Sequence, residues 1–180
     1  MRHANLSGVA FASLLLAAGM GQAQAQEGHE VEINWVSADG IEDSIGTITL
    51  EDTDHGLLLI PDLREMPPGV YGFHVHENPS CEPGEDEDGN MQAAGEAGGH
   101  YDPEETDSHQ GPYGDGHLGD LPVLIVNEDG EADLPVLAPR LTVDDVQGRS
   151  LMIHEGGDTY SDEPELGGGG GRMACGVVES

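Results

Sequence analysis

The sequence predicts an all-β fold, a sandwich or barrel of about eight antiparallel strands. Three observations carry this reading. Short runs alternate apolar and polar residues, Gly, Pro and Asp clusters punctuate them, and no stretch has the period of an amphipathic helix. His29 to Ser37 places Val31, Ile33 and Trp35 on one face and Glu32 and Asn34 on the other, and Asp39-Gly40 follows as a turn. Ser44 to Glu51 sets Ile45, Thr47 and Thr49 opposite Ile48 and Leu50, and His55 to Ile60 is another short apolar run. Pro67-Pro68-Gly69 punctuates before Gly72-Phe73-His74-Val75-His76. Beyond a long irregular stretch, strands are expected over Leu121 to Asn127, Glu131 to Ala138 (after a turn at Asp129-Gly130), Ser150 to His154 and Met173 to Val178.

Arg2 and His3, the apolar run from Val9 to Met20 and the small residues of Ala23-Gln24-Ala25 read as a secretory signal over residues 1–25, cleaved after Ala25. It is too short for a membrane span, and no later run could cross a bilayer. Residues 26–180 then form a single domain of about 155 residues, enough to fold alone, in the periplasm or secreted. In an oxidising compartment Cys81 and Cys175 are an even count and would pair. The charge is extreme, with 36 Asp and Glu against 5 Lys and Arg, no lysine, and a formal net charge of -31. Nucleic acid and anionic membranes are therefore poor partners. Adaptation to high salt, a halophilic habitat, is the reading that suits such acidity, because concentrated ions screen self-repulsion.

Successive side chains on a strand point to opposite faces, so Phe73 and Val75 enter a core while His74 and His76 project together from the other side. Two imidazoles so placed suit copper or zinc. An isolated pair would be two solvated histidines on an edge strand, but His100, His117 and His154 follow in Gly-rich or strand-like contexts. Between Glu77 and Gly119 periodicity disappears, and a loop of that length inside a compact domain is functional or disordered. With His109 and Asp120, the loop's His100 and His117 make three imidazoles and a carboxylate, a closed set suited to zinc. The five glycines Gly167 to Gly171 read as a loop that must approach something closely.

Gly-Phe-His-Val-His-Glu (72–77), Gly-Gly-His-Tyr-Asp-Pro (98–103), His-Leu-Gly-Asp-Leu-Pro (117–122) and Gly-Gly-Gly-Arg-Met-Ala-Cys-Gly (169–176) occur in that order. On these motifs the chain resembles the copper/zinc superoxide dismutases, specifically their bacterial exported branch, over nearly all of its mature length. The resemblance implies an eight-stranded antiparallel Greek-key β-barrel or sandwich with a long metal-binding loop and a Gly-rich active-site loop. It implies an oxidoreductase that converts superoxide to dioxygen and hydrogen peroxide by Cu(II)/Cu(I) cycling, with one copper and one zinc. Copper would be held by His74, His76, His100 and His154, and zinc by His100, His109, His117 and Asp120, with His100 an imidazolate bridge. Asp158 would accept hydrogen bonds from His74 and His109, and Arg172 would orient the anion.

Two acidic stretches depart from the family's habit of placing lysines at the channel: Glu85-Asp86-Glu87-Asp88, and Asp162, Glu163 and Glu165 in the loop before Arg172. Long-range steering of superoxide is expected to be weak or adverse. Arg64, Arg140 and Arg149 read as surface residues, and His29 and His55 as solvated. A metal buffer on the same scaffold and an extracellular adhesive sandwich are the competing readings, and a homodimer is left open.

Overall fold

A computed structural model describes Met1, residues 28–86 and residues 88–180. Apart from Met1, the leader read over residues 1–25 lies outside the described residues. The strands are β1 (His29–Ser37), β2 (Gly40–Thr53), β3 (Gly56–Leu63), β4 (Gly69–Tyr71), β5 (Phe73–His76), β6 (Gly84–Glu85), β7 (Met91–Gln92), β8 (Leu124–Val126), β9 (Val136–Ala138), β10 (Arg149–His154) and β11 (Arg172–Val178). Among the described residues helix is confined to α1 (Val143–Val146) and two single turns at Gly95–Ala97 and Glu165–Gly168. Seven strands form an antiparallel sheet in the order β5-β10-β11-β1-β2-β3-β9, and β4 pairs with β8. Taking β4 and β5 as one strand interrupted at Gly72, and setting aside the loop hairpin β6–β7, the curled sheet has the eight strands that were expected.

Burial follows alternation where the ladder is regular and departs from it at bulges. Gly46, with φ +128°, sits where the β1–β2 register slips between Ile33 and Asn34. The extra residue puts both Ile45 and Ile48 into the core, where alternation had set them on opposite faces. A second slip between Asn34 and Val36 leaves Trp35 only partly buried and turns Val36 inward to a smaller cluster. Two runs read as full strands are shorter in the fold. Pro122 and Pro135 lack the amide a ladder needs, so regular pairing begins only at Leu124 and Val136.

The main core packs Ile33, Ile48, Leu50, Leu57, Leu59, Phe73, Val75, Leu151 and Ile153. Phe73 and Val75 are each buried, worth about 1.5–3 kcal/mol apiece, and they hold β5 down while its alternate residues, His74 and His76, are buried on the opposite face. That gain offsets the cost, about 1–3 kcal/mol per polar group, of taking the imidazoles out of water. The smaller cluster, on the outer side, contains Met152, Ala94, Ala97 and the Cys81–Cys175 disulfide, which ties β11 to the start of the long loop. The expected pairing of the two cysteines is therefore present.

Candidate metal centre

The long loop leaves β5 and returns to it, and both of its ends dock on that strand. The Tyr101 amide donates to the Val75 carbonyl and the Val75 amide to the Gly119 carbonyl, each at 2.8 Å. Gly119 also donates to the Tyr101 carbonyl at 2.8 Å, and Leu121 donates to the Phe73 carbonyl at 3.2 Å. Gly119 has no side chain because a Cβ there would strike the Val75 carbonyl and lie 2.9 Å from the Tyr101 amide. This docking puts His100 opposite His76 and Asp120 opposite His74. His154 ends β10 at the bulge after Ile153, and its amide donates to the Gly72 carbonyl at 2.9 Å.

All six loop and strand histidines that the sequence singled out, with Asp120, converge, and all are buried. The rings of His74 and His100 stack at 3.9 Å between centroids, and those of His74 and His154 are 4.9 Å apart. His74, His76, His100 and His154 offer donor atoms within 4.8 Å of one another. By mutual distance a second group is His74, His100, His109 and Asp120. His117 joins it through the carboxylate: Oδ1 of Asp120 lies 3.2 Å from Nδ1 of His100, 3.1 Å from Nδ1 of His109 and 3.4 Å from Nδ1 of His117. A tetrahedral metal site with bonds of about 2.0–2.1 Å has edges of about 3.3 Å between its ligand atoms. The separations from Asp120 match that edge.

Hydrogen bonds use one nitrogen of most rings and leave the other bare. Nε2 of His74 and Nε2 of His109 donate to the two oxygens of Asp158, at 2.8 and 2.7 Å. Nδ1 of His76 donates to the Gly98 carbonyl at 2.9 Å, and Nδ1 of His154 to the Gly170 carbonyl at 3.3 Å. The remaining nitrogens, Nε2 of His76 and Nε2 of His154, face each other at 3.4 Å. Nδ1 of His74, His109 and His117 are buried with no hydrogen-bond partner. Nδ1 of His109 lies near Asp120 without the alignment of a hydrogen bond, as a lone pair aimed at a common centre would. Buried, bare imidazole nitrogens beside a carboxylate are the donor set that copper and zinc take.

The electrostatics agree. Burial lowers His74, and lowers His76 well below its usual value with help from the His100 and Arg172 charges. Burial likewise brings His100 to about 4 and His154 to about 3, so these rings are neutral and keep a lone pair to offer over a wide pH range. His109 is the exception: burial pushes it down, but the Asp120 carboxylate beside it and the hydrogen bond to Asp158 prevail and raise it to about 9. For both carboxylates burial acts upward and is outweighed, by the imidazoles of His100, His109 and His117 beside Asp120 and by hydrogen bonds from His109 and His74 at Asp158.

The glycine run makes the close approach that its composition suggested. At Gly167, with φ +72°, a Cβ would collide with Asp158 and come within 2.8 Å of Nε2 of His109. A cavity of about 170 Å³ opens above His100 and His154, edged by Glu165, Leu166, Gly169 and Gly170. Arg172 lies across from His154 in the ladder and donates to the carbonyls of Ala94 and Gly98, both at 2.6 Å. Gly98 thus accepts from Arg172 and His76 together.

His29 and His55 belong to neither cluster among the described residues. Two arginines assigned to the surface are not free there. Arg149 is half-buried, stacks on Tyr101 at 3.4 Å from the ring centroid and donates to the carbonyls of Asp145 and Glu77. Arg140 is half-buried against the metal loop and makes four hydrogen bonds to its carbonyls. Their only sequence signal is the scarcity of cations. Arg64 is exposed and pairs with Asp62 and Glu131, as a surface residue does.

The family model described as copper/zinc superoxide dismutase matches residues 44–178. The copper-zinc superoxide dismutase 2 of Salmonella typhimurium is 53% identical over 173 residues, spanning 95% of this chain and 97% of that one. The copper-zinc superoxide dismutase of Escherichia coli is 50% identical over 170 residues, or 93% and 96% of the two chains. The structure of the Cu/Zn superoxide dismutase from Brucella abortus superposes with a TM-score of 0.81 at 49% identity, covering 83% of this chain and 98% of that one. The monomeric enzyme from Salmonella enterica gives 0.75 at 54% identity, covering 83% and 98%. With a curled antiparallel sheet carrying two adjoining clusters of metal donors, the chain belongs to the copper/zinc superoxide dismutases, oxidoreductases that act on superoxide with one copper and one zinc.

Proposed function

We propose that His74, His76, His100 and His154 hold copper, that His100, His109, His117 and Asp120 hold zinc, and that Arg172 orients superoxide at the copper side. The observation that supports the assignment is the division of four rings, His74, His76, His109 and His154, into one nitrogen spent on an oxygen and one turned to the cluster. His100 differs from the others. His74 and His100 belong to both donor groups, but Nε2 of His74 is spent on Asp158. Nδ1 of His100 is beside Asp120, and among the described residues no oxygen takes its opposite nitrogen, so His100 is the ring suited to serve both clusters. Copper supplies one-electron chemistry between two oxidation states, and zinc a fixed positive charge that eases loss of the second His100 proton.

The chain's own groups do the rest. Asp158 fixes the tautomers of His74 and His109, one from each cluster, and so aligns the two sites with a single carboxylate. Arg172 is held by neutral carbonyls, so its positive charge is not cancelled by a partner. Placed across from His154, it draws and orients a small anion that enters the cavity above His154 and His100. The disulfide from Cys81 to Cys175 holds the arginine's strand against the loop. A metal buffer on this scaffold would need neither an uncancelled guanidinium nor an open cavity. Export belongs to the same reading, with residues 1–25 as a cleaved leader, residues 26–180 as the enzyme domain and the periplasm as destination. No described helix is long and apolar enough to cross a membrane. A single chain is the favoured state, since the Salmonella enterica relative is described as monomeric, and a homodimer is the alternative.

Arg172→Ala is expected to keep its copper and zinc, measured by elemental analysis, while superoxide consumption falls by about tenfold or more. Unchanged consumption, or bound metal without rapid consumption in the unmodified protein, would overturn the assignment. Glu165 edges the cavity, and no cation other than Arg172 is placed beside the copper cluster among the described residues. Catalytic efficiency should therefore rise with salt over the low-salt range, as screening relieves repulsion of the anion. A monotonic fall from the lowest salt upward contradicts this.

The metal-free protein should be most stable near pH 6.5. His74, His76, His100 and His154 have lowered pKa values, so the unfolded chain binds their protons first and stability is lost as pH falls from 6.5 toward 4 and 3. His109 has the opposite sign: its contribution is complete below 6.5 and is lost as pH rises through about 9. Scanning calorimetry of the metal-free protein should show a melting maximum between these arms, and a melting temperature climbing steadily from pH 5 to 9 would refute it. N-terminal sequencing of the exported protein should begin at Gln26, and a first residue within 2–25 would exclude cleavage after Ala25.

A further inference from the structure

The loop that carries His109, His117 and Asp120 has little regular structure of its own. Between Gly111 and Gly116 its internal backbone bonding is a single turn, Gly114 to the Gly111 carbonyl at 3.4 Å, and turns and bends fill the segment. What holds it comes from across the molecule. Arg140 follows β9, on the opposite edge of the large sheet from β5. Its Nε donates to the Pro112 carbonyl at 3.2 Å and Nη1 to that of Gly116 at 3.0 Å. Its Nη2 donates to the carbonyls of Gly111 at 3.3 Å and His117 at 2.6 Å. Among the described residues no carboxylate pairs with it, although the chain has 36 Asp and Glu. A guanidinium given four carbonyls and no counter-ion serves as a brace for backbone.

The braced peptides are the ones that aim the donors. Gly111 gives its carbonyl to Arg140 and its amide to Oδ2 of Asp120 at 3.1 Å, and the Gln110 amide reaches the same oxygen at 3.1 Å. Oδ2 is thus fixed by the loop, which leaves Oδ1 turned to Nδ1 of His100, His109 and His117. At the other end His117 is held through both backbone groups, its amide to the Ser108 carbonyl at 2.9 Å and its carbonyl to Arg140.

We propose that Arg140 is a positioning residue for zinc: its fork to the carbonyls of Gly111, Pro112, Gly116 and His117 holds the loop in ligand-presenting shape before the metal arrives. The proposal rests on the assignment of zinc to His100, His109, His117 and Asp120. A flexible loop must be ordered at the moment of binding, and that entropy is subtracted from affinity. With the brace in place the loop is already ordered, and zinc binds more tightly. Lysine does not replace the fork, since a single ammonium point charge lacks its planar set of donors.

The test measures Zn(II) affinity of the metal-free protein by competition with a chromophoric chelator, together with the rise in melting temperature that Zn(II) produces. Arg140→Gln is expected to weaken zinc by about 10- to 100-fold and to shrink that rise, with Arg140→Lys in between and Arg64→Gln unchanged. A merely structural role would lower the melting temperature of both forms equally and leave the rise intact, and that result, or an affinity for Arg140→Gln within about twofold of the unmodified protein, overturns the proposal. Should Arg140→Gln fail to fold, Arg140→Lys is held to the same threshold. His117→Ala in the same assay separates the two levels. If it binds zinc normally the site assignment fails; if it binds weakly while the Arg140 variants do not, only the brace fails.

Discussion

The centre depends on one constraint: each buried imidazole has two nitrogens, and neither can be left without a partner at no cost. At His74, His76, His109 and His154 one nitrogen donates to a fixed oxygen, which sets the tautomer and turns the other toward the cluster. The bare nitrogens of His74, His109 and His117 are the cost of that arrangement, repaid only by an electron-pair acceptor. The rest of the fold follows from supplying those oxygens at the right places. Asp158 arrives from the loop after β10, Gly98 from the metal loop and Gly170 from the glycine run, so three separate segments must all be in position.

This explains why the two loops are so closely joined. Asp158 reaches His109, the Asp162 carboxylate accepts from the His109 amide at 2.8 Å and from Ser108, and the Tyr160 hydroxyl accepts from the Val123 amide at 2.9 Å. Tyr160 also packs on Gly111, where a Cβ would lie 2.6 Å from its ring. One short segment therefore grips the metal loop both at a donor and at the turn Arg140 braces. Neither loop could move far without disturbing a ring in each cluster.

Much of this was legible from local pattern. β1 runs from His29 to Ser37 as its alternation required, and the His74/His76 pair faces away from Phe73 and Val75 for the same reason. The glycine run declared a close approach, which Gly167 makes to Asp158 and His109. What was not legible depends on register or on long-range contact. A bulge at Gly46 shifts a strand by one residue and reverses the face of Ile45, and alternation carries no mark of it. The roles of Arg140 and Arg149 lie in carbonyls far along the chain, and every residue has a carbonyl, so no side-chain pattern points to them. The motifs named the residues that cluster, but apart from the Asp158 carboxylate the groups that orient their rings are backbone.

The same carbonyls resolve the apparent conflict between an acidic protein and an anionic substrate. Three of the four arginines among the described residues, Arg140, Arg149 and Arg172, bond to carbonyls, and only Arg64, at the surface, pairs with carboxylates. A guanidinium paired with Asp or Glu presents no net charge, whereas one held by neutral dipoles keeps its full charge and a fixed orientation. Arg172 is of the second kind. Its field reaches the rings beside it, lowering the pKa of both His76 and His154. At that range the attraction outlasts the screened and scattered repulsion of distant surface acids, because interactions beyond a Debye length, about 10 Å at 0.1 M salt, are largely lost. The surface can then be as acidic as its surroundings allow without cancelling the positive charge that Arg172 keeps beside these rings.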